Sequence, residues 1–486
     1  MVYFAHRTGR FVLLLAVLCF SLTGWGMQAS AQAEPEAYNY SSRGDALVSP
    51  QAYKAAILLT GAGLGVGHFK SPSDIHAAAN HLIYIADSGN NRIVVLNEEL
   101  KLQRTIDSFV NSGQTDHFEN PQGIYVTDQG HVYVSDTGKS RIVHLDPDNR
   151  LVKVIQAPRS DLLNGNFRFQ PTRLVVDQAL RIYVMSIGVF DGFMEFNADG
   201  EFTSFFGANR VTVDPMEYFW KRLSTKKQRS QMVMFTPTEF TSLDMNSEGF
   251  IYATNADAAG DNIKMLNAQG NDILRRGGYQ DPQGDVRFFT KDGRSRLVDV
   301  DVGGDEIYSV LDSKQGRIFT YNGDGYLMYI FGGIGNQVGQ FQTPVAIERT
   351  GDRFLVLDKG LGEVTVFAST EYGRVLNEAA ASYYRGDEGN AYLLYKQAVN
   401  MNTNLEYVYS GIGKALLRQG DYSQAMQYFK QSMDQTNYSK AFLLYRKELL
   451  REHFSTIMTV ILLFAALIIT GNKVRKSLMR RKVVAN

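Results

Sequence analysis

Between residues 72 and 367 short apolar runs are broken by polar turns on a fixed plan: apolar residues ending in Asp or Asn, a turn, then a second apolar run. The first run of the pair recurs as Ile83–Asp87, Val132–Asp136, Ile182–Val184, Ile251–Asn255, Ile307–Asp312 and Phe354–Asp358. The steps between the matched Tyr84, Tyr133, Tyr183, Tyr252, Tyr308 and Leu355 are 49, 50, 69, 56 and 47 residues. Self-similarity at this period is that of a four-stranded blade, since one blade cannot bury its faces alone and must stack on neighbours. Six copies predict an all-β propeller of six blades.

Each copy is preceded by a short strand that mostly starts at a proline, as at Pro72, Pro121, Pro171, Pro237 and Pro344; the fifth, Arg296 to Val302, lacks it. A third strand follows the turn, at Arg92 to Leu96, Arg141 to Leu145 and Arg317 to Tyr321, and a fourth follows it, as at Tyr326 to Phe331. The run Asp87-Ser-Gly-Asn-Asn-Arg92-Ile93 resembles the signature of the NHL-repeat propeller family, and Asp136 with Arg141 and Asp312 with Arg317 keep its spacing of five. The third copy lacks the Asp, the fourth has a longer turn, and the sixth has Glu363 in place of Arg. The sixth copy ends at Phe367 without a fourth strand, and residues 52–60 are expected to supply it, because an open edge would be unstable and adhesive.

After Phe367 the apolar period becomes helical, through Ala379, Tyr383, Ala391 and Tyr395 and on to Ile412, Leu416, Ala425 and Phe429. Gly386-Asp387 with Ala391 recurs as Gly420-Asp421 with Ala425, a separation of 34 residues. Residues 368–452 thus resemble tetratricopeptide-like helices, which serve either as a rigid stalk packed on the propeller or as a peptide-binding groove.

The two ends place the chain at a membrane. Residues 1–33 carry Arg7 and Arg10, an apolar run and Ala29, Ala31 and Ala33, the three parts of a cleaved secretory signal; residues 34–51 are a linker. Residues 453–471, with the uncharged stretch Phe454 to Thr470 at their centre, suit one transmembrane helix. The following Lys473, Arg475, Lys476, Arg480, Arg481 and Lys482 make residues 472–486 a basic cytoplasmic tail, with the bulk of the chain outside the cell. The single cysteine, Cys19, falls in the signal, so the mature chain is expected to have no disulfide and no thiol nucleophile, which suits a bacterial cell envelope. A formal net charge of zero gives no case for nucleic acid.

Two sets of residues carry candidate chemistry. Asp87, Asp136, Asn255, Asp312 and Asp358, with Arg92, Arg141 and Arg317, read as blade-turn residues that hydrogen-bond backbone amides and one another. The insertion at residues 211–235 holds Tyr218, Trp220, Lys221 and Arg222, a mixture that suits a protein or carbohydrate partner at the rim; the other reading is an amphipathic helix lying on the ring. No catalytic set, cofactor or metal site is expected. Six of the eight histidines lie between His68 and His144, so they do not converge from around the ring as a zinc lyase requires. The function expected is that of a membrane-anchored extracytoplasmic binding or scaffold protein, accessory to carbohydrate transport or the cell envelope. The alternative is a calcium-dependent lactonase-like hydrolase or lyase working in the propeller cavity.

Overall fold

The computed structural model describes residues 37–160, 162–163, 167–208, 238–255, 261–286 and 294–484. The expected signal sequence and the rim residues Tyr218, Trp220, Lys221 and Arg222 lie outside the described residues.

Six antiparallel sheets form the ring, and the first strands are Asp74–Ala77, Pro121–Val126, Pro171–Val176, Phe240–Met245, Leu297–Val302 and Pro344–Thr350. Each first strand lies beside the next and the sixth returns to the first, which makes a closed circle around a channel. The chain is therefore a six-bladed β-propeller. Blades 1, 2, 3 and 5 each have four consecutive strands, and blade 4 has three among the described residues. Its outer strand Ile263–Leu266 is covered by a bridge from Leu266 to Asp272 and by the Arg276 guanidinium, which donates to the Ile263 carbonyl. Blade 6 takes its outermost strand from the other end of the propeller sequence: Tyr53–Thr60 pairs antiparallel with Glu363–Ser369. That join ties the two ends of the ring by main-chain hydrogen bonds.

The ring coheres because the second strands are buried on both faces. In Ile83–Asp87 all five residues are buried, and the same holds for Val132–Asp136, Ile251–Asn255 and Tyr308–Asp312. This explains why these runs read as continuous apolar stretches rather than as alternation. Where inner strands come close, a side chain is excluded: a Cβ on Gly123 would lie 2.2 Å from the Thr172 carbonyl oxygen of the next blade.

Six helices follow the ring: α1 Glu371–Tyr384, α2 Glu388–Met401, α3 Glu406–Gln419, α4 Tyr422–Gln431, α5 Gln435–Glu452 and α6 Phe454–Val484. Thr370, Asp387, Asp421 and Asp434 cap α1, α2, α4 and α5, their side chains accepting amide N–H groups of the first turn. Consecutive helices from α1 to α5 pack on each other, and α1 to α4 share one apolar core with blades 5 and 6, where Leu376, Ala379, Leu405 and Ile412 meet Phe331, Phe341 and Tyr53. Polar contacts reinforce the seam. Tyr329 donates to Asn377 at 2.8 Å, Asn377 donates to Tyr53 at 3.0 Å, and Lys414 meets Asp324 at 2.7 Å. The helical segment is thus built onto the propeller. Phe454–Lys476 of α6 is long and apolar enough to cross a membrane, with a mean hydropathy of 2.3 and no burial against the rest of the chain.

Candidate functional site

The first strands of the six blades pair with their second strands in one common register. Asp74, Gly123, Arg173, Ser242, Asp299 and Ala346 occupy equivalent positions and form one layer of the channel wall. Two residues on, with side chains on the same face, come His76, Tyr125, Val175, Asp244, Asp301 and Glu348, the next layer.

The acids of both layers act as a belt between blades. Asp74 accepts the N–H of Ile124 at 2.9 Å, and Asp299 that of Ile347 at 2.7 Å. In the next layer Asp244 accepts from Val302 at 2.8 Å, Asp301 from Arg349 at 2.8 Å and Glu348 from Ala77 at 2.9 Å. An inner strand has no sheet partner on its channel side, so its amides need acceptors, and a carboxylate is the strongest neighbour available.

The layers differ in how this charge is balanced. In the first, the half-buried Arg173 guanidinium reaches Asp74 at 2.6 Å and Asp299 at 3.0 Å and donates to the Val345 carbonyl at 2.9 Å. Burial still dominates Asp74, whose carboxyl is pushed up to about 6 against the pull of Arg173. In the second layer, among the described residues, no Lys or Arg lies within ion-pair distance of Asp244, Asp301 or Glu348, although the charge of Arg349 acts on Asp301 and that of Arg173 on Asp244 and Glu348 from farther off. Burial raises all three above the ordinary carboxylate range, and the neighbouring acids raise Asp244 and Glu348 further. His76 lies 3.6 Å from Glu348, but burial lowers its imidazole to about 4, so the contact joins a neutral ring to the acid at neutral pH. One oxygen of Asp301, a residue only 4% exposed, has no hydrogen-bond partner among the described residues.

This second layer floors a cavity of about 740 Å³. Its far wall is helical: Arg374, Asn377, Glu378 and Ala381 of α1 face the channel mouth. A smaller cavity of about 260 Å³ lies at the opposite mouth, around Arg173, Glu239 and Lys359.

The sequence-predicted blade-turn residues are positioned elsewhere and are not brought together. Asp87 accepts the Lys70 N–H and the Arg92 guanidinium, both at 2.8 Å, and Asp136 accepts the Glu119 N–H at 2.6 Å and Arg141 at 2.7 Å. Asp312 accepts the Arg296 N–H at 3.0 Å and Asp358 that of Gln342 at 2.6 Å. Each acid thereby fastens the segment leading into the first strand of its own blade. Asn255 donates to the Asp261 carbonyl at 2.8 Å. Arg317 turns to Asp285, 3.6 Å away, with its guanidinium over the Tyr38 ring. Asp285 also accepts from the hydroxyls of Tyr38 and Tyr40, which fixes the N-terminal hairpin to blade 5.

The channel acids were missed by sequence reasoning. Their signal was an acid set directly beside apolar residues in a first strand, as in Leu243-Asp244-Met245, Val300-Asp301-Val302 and Ile347-Glu348.

The NHL repeat family model matches residues 118–145, which span the first three strands of blade 2. No curated protein matches the chain. Among solved structures, the chain is similar to a catalytically inactive virginiamycin B lyase from Staphylococcus aureus with quinupristin, at 8% identity and a TM-score of 0.39, over 62% of this chain and 80% of that one. A streptogramin B lyase is similar at 9% identity and a TM-score of 0.40, over 62% of this chain and 94% of that one. A Bacteroides thetaiotaomicron protein of unknown function is similar at 12% identity and a TM-score of 0.40, over 69% and 76%.

Proposed function

We propose that this protein is a membrane-anchored extracytoplasmic binding protein that holds a small polar ligand in the channel mouth beneath α1. The observation that carries this reading is the cavity of about 740 Å³, walled by polar side chains of the inner strands on one side and by a helix on the other. Its anchor is α6, and the bases that follow Thr470 favour a cytoplasmic tail with the propeller outside. A role beside a carbohydrate transport or cell-envelope system fits such a tether. The rim insertion with Tyr218, Trp220, Lys221 and Arg222 then serves as a second contact, to a protein or carbohydrate partner.

Gly304 borders the cavity, and a Cβ placed on it meets nothing within 4 Å. Gly304→Trp therefore has room for its Cβ and adds an indole at the edge of the mouth. Thermal-shift screening of sugars, amino acids and amines against the full chain should find stabilisers that lose their effect on Gly304→Trp; stabilisers that act equally on both would remove the cavity from the reading. Trp220→Ala with Arg222→Ala should leave those ligands unaffected while weakening capture of partners crosslinked in native membranes.

A hydrolase or lyase acting in the same cavity is the second reading. It draws on the raised carboxyls of Asp244 and Glu348, since a carboxylic acid kept protonated near neutral pH can act as a general acid. Turnover of a cavity-bound ligand, abolished in Glu348→Gln, would favour it over simple binding.

A further inference from the structure

Given a ligand in this mouth, the acids on its floor indicate the ligand's chemistry; the step rests on the binding reading above. The two layers of the channel wall offer an internal comparison. In the first, two buried carboxylates share a guanidinium supplied by the chain itself, Arg173. In the second, three acids from successive blades, Asp244, Asp301 and Glu348, face the cavity with no Lys or Arg within ion-pair distance among the described residues, so they hold protons that a bound cation would displace. Each already uses an oxygen to hold the next blade, so their positions are fixed by the fold. The remaining oxygen of Asp301 is buried and unpartnered among the described residues, although a buried acceptor normally finds a donor.

Two features bear on the kind of cation. No three His, Cys, Asp or Glu side chains converge as a metal site among the described residues, and the cavity is far larger than an ion requires. The Tyr125 ring stands in the same layer and gives an apolar surface for a carbon chain. Arg349 and Arg374 also border the cavity; Arg349 donates to the Gly351 carbonyl and acts on Asp301 only from beyond ion-pair distance, and seven acidic residues outnumber the two arginines.

We propose that the channel mouth binds a small organic cation, whose ammonium groups are held by Asp244, Asp301 and Glu348 as Arg173 is held by Asp74 and Asp299 one layer below. Ammonium groups donate several hydrogen bonds each and keep their charge at neutral pH, which matches acceptors of this kind.

The test is calorimetric titration of the full chain in phosphatidylcholine nanodiscs with spermidine, magnesium chloride and maltotriose in turn. Saturable one-to-one binding of spermidine is expected, weakened about tenfold or more in Asp301→Asn and in Glu348→Gln, the scale of losing one charge-assisted contact. Both substitutions keep an oxygen to accept the N–H of the next blade, and an unchanged melting temperature in either one separates lost binding from lost folding. Spermidine binding that is equal in wild type and both variants overturns the proposal. So does magnesium binding that depends on the same residues while spermidine is ignored. Maltotriose binding that is lost in Gly304→Trp, without amine binding, overturns the ammonium ligand yet leaves the cavity as the binding site. Failure of all three probes, with Gly304→Trp indifferent to every compound screened, overturns both.

Discussion

Asp301 accepts the backbone N–H of Arg349 from the neighbouring blade at 2.8 Å with one carboxylate oxygen, while its other oxygen, buried at the channel mouth, has no hydrogen-bond partner among the described residues. One side chain thus serves the ring and leaves an acceptor over. The same division runs through Asp244 and Glu348, each tied to the next blade by one hydrogen bond and each without a Lys or Arg ion pair among the described residues. Stability and ligand capture therefore draw on the same acids, and experiments can separate the two.

Arg173 is the internal counterion of the first layer. Arg173→Leu leaves Asp74 and Asp299 buried without their cation, a change that costs roughly 3–5 kcal/mol when one partner of a buried pair is removed. The full chain in detergent should melt many degrees lower, and adding Asp299→Asn should restore part of the loss. A melting temperature unchanged by Arg173→Leu would show that solvent reaches the pair.

Ring closure depends on Tyr53–Thr60 pairing with Glu363–Ser369, and the hairpin before it is held through Tyr38 and Tyr40 to Asp285. Deleting residues 37–60 exposes the edge of the sixth blade and removes both attachments. Calorimetry should then lose its single cooperative transition. One transition of undiminished enthalpy would mean that the other strands close the ring unaided.

The second-layer acids give a dependence on pH with a definite sign. Their carboxyls are raised by burial, so the folded chain keeps protons that the unfolded chain gives up. Stability is greatest below the ordinary carboxylate range and is lost as pH rises through the raised values. Half-buried His76 and His144, both lowered to about 4, act in the opposite direction, but only below the ordinary imidazole value. Between pH 7 and 9 the acids should dominate: the melting temperature of wild type should fall, and Asp244→Asn should fall less. Parallel slopes would show that Asp244 is ionised throughout.

The propeller was legible because one physical demand repeats six times. A second strand buried on both faces must be apolar along its length, and Asp87, Asp136, Asp312 and Asp358 mark where it ends. The helices after Phe367 were legible from their period and from Asp387 and Asp421, which cap α2 and α4. Their placement was not. Nothing in the spacing of Arg374 and Asn377 says that α1 closes a channel mouth, since that follows from packing between segments far apart in sequence. The candidate site was hidden for a related reason. Asp244, Asp301 and Glu348 follow the repeat spacing, but the equivalent positions of the other blades hold His76, Tyr125 and Val175, so no residue type recurs there. Repeat reading favours residue types that recur in every blade, whereas this wall is built at one shared position whose residue differs between blades.

The most direct measurement is a structure of the full chain in nanodiscs with saturating spermidine, determined by cryo-electron microscopy. Density for the amine is predicted in the cavity between Asp301 and Asn377, with a nitrogen within hydrogen-bond distance of the unpartnered Asp301 oxygen. An empty mouth at saturation, or density confined to the opposite mouth near Arg173 and Lys359, would contradict the account.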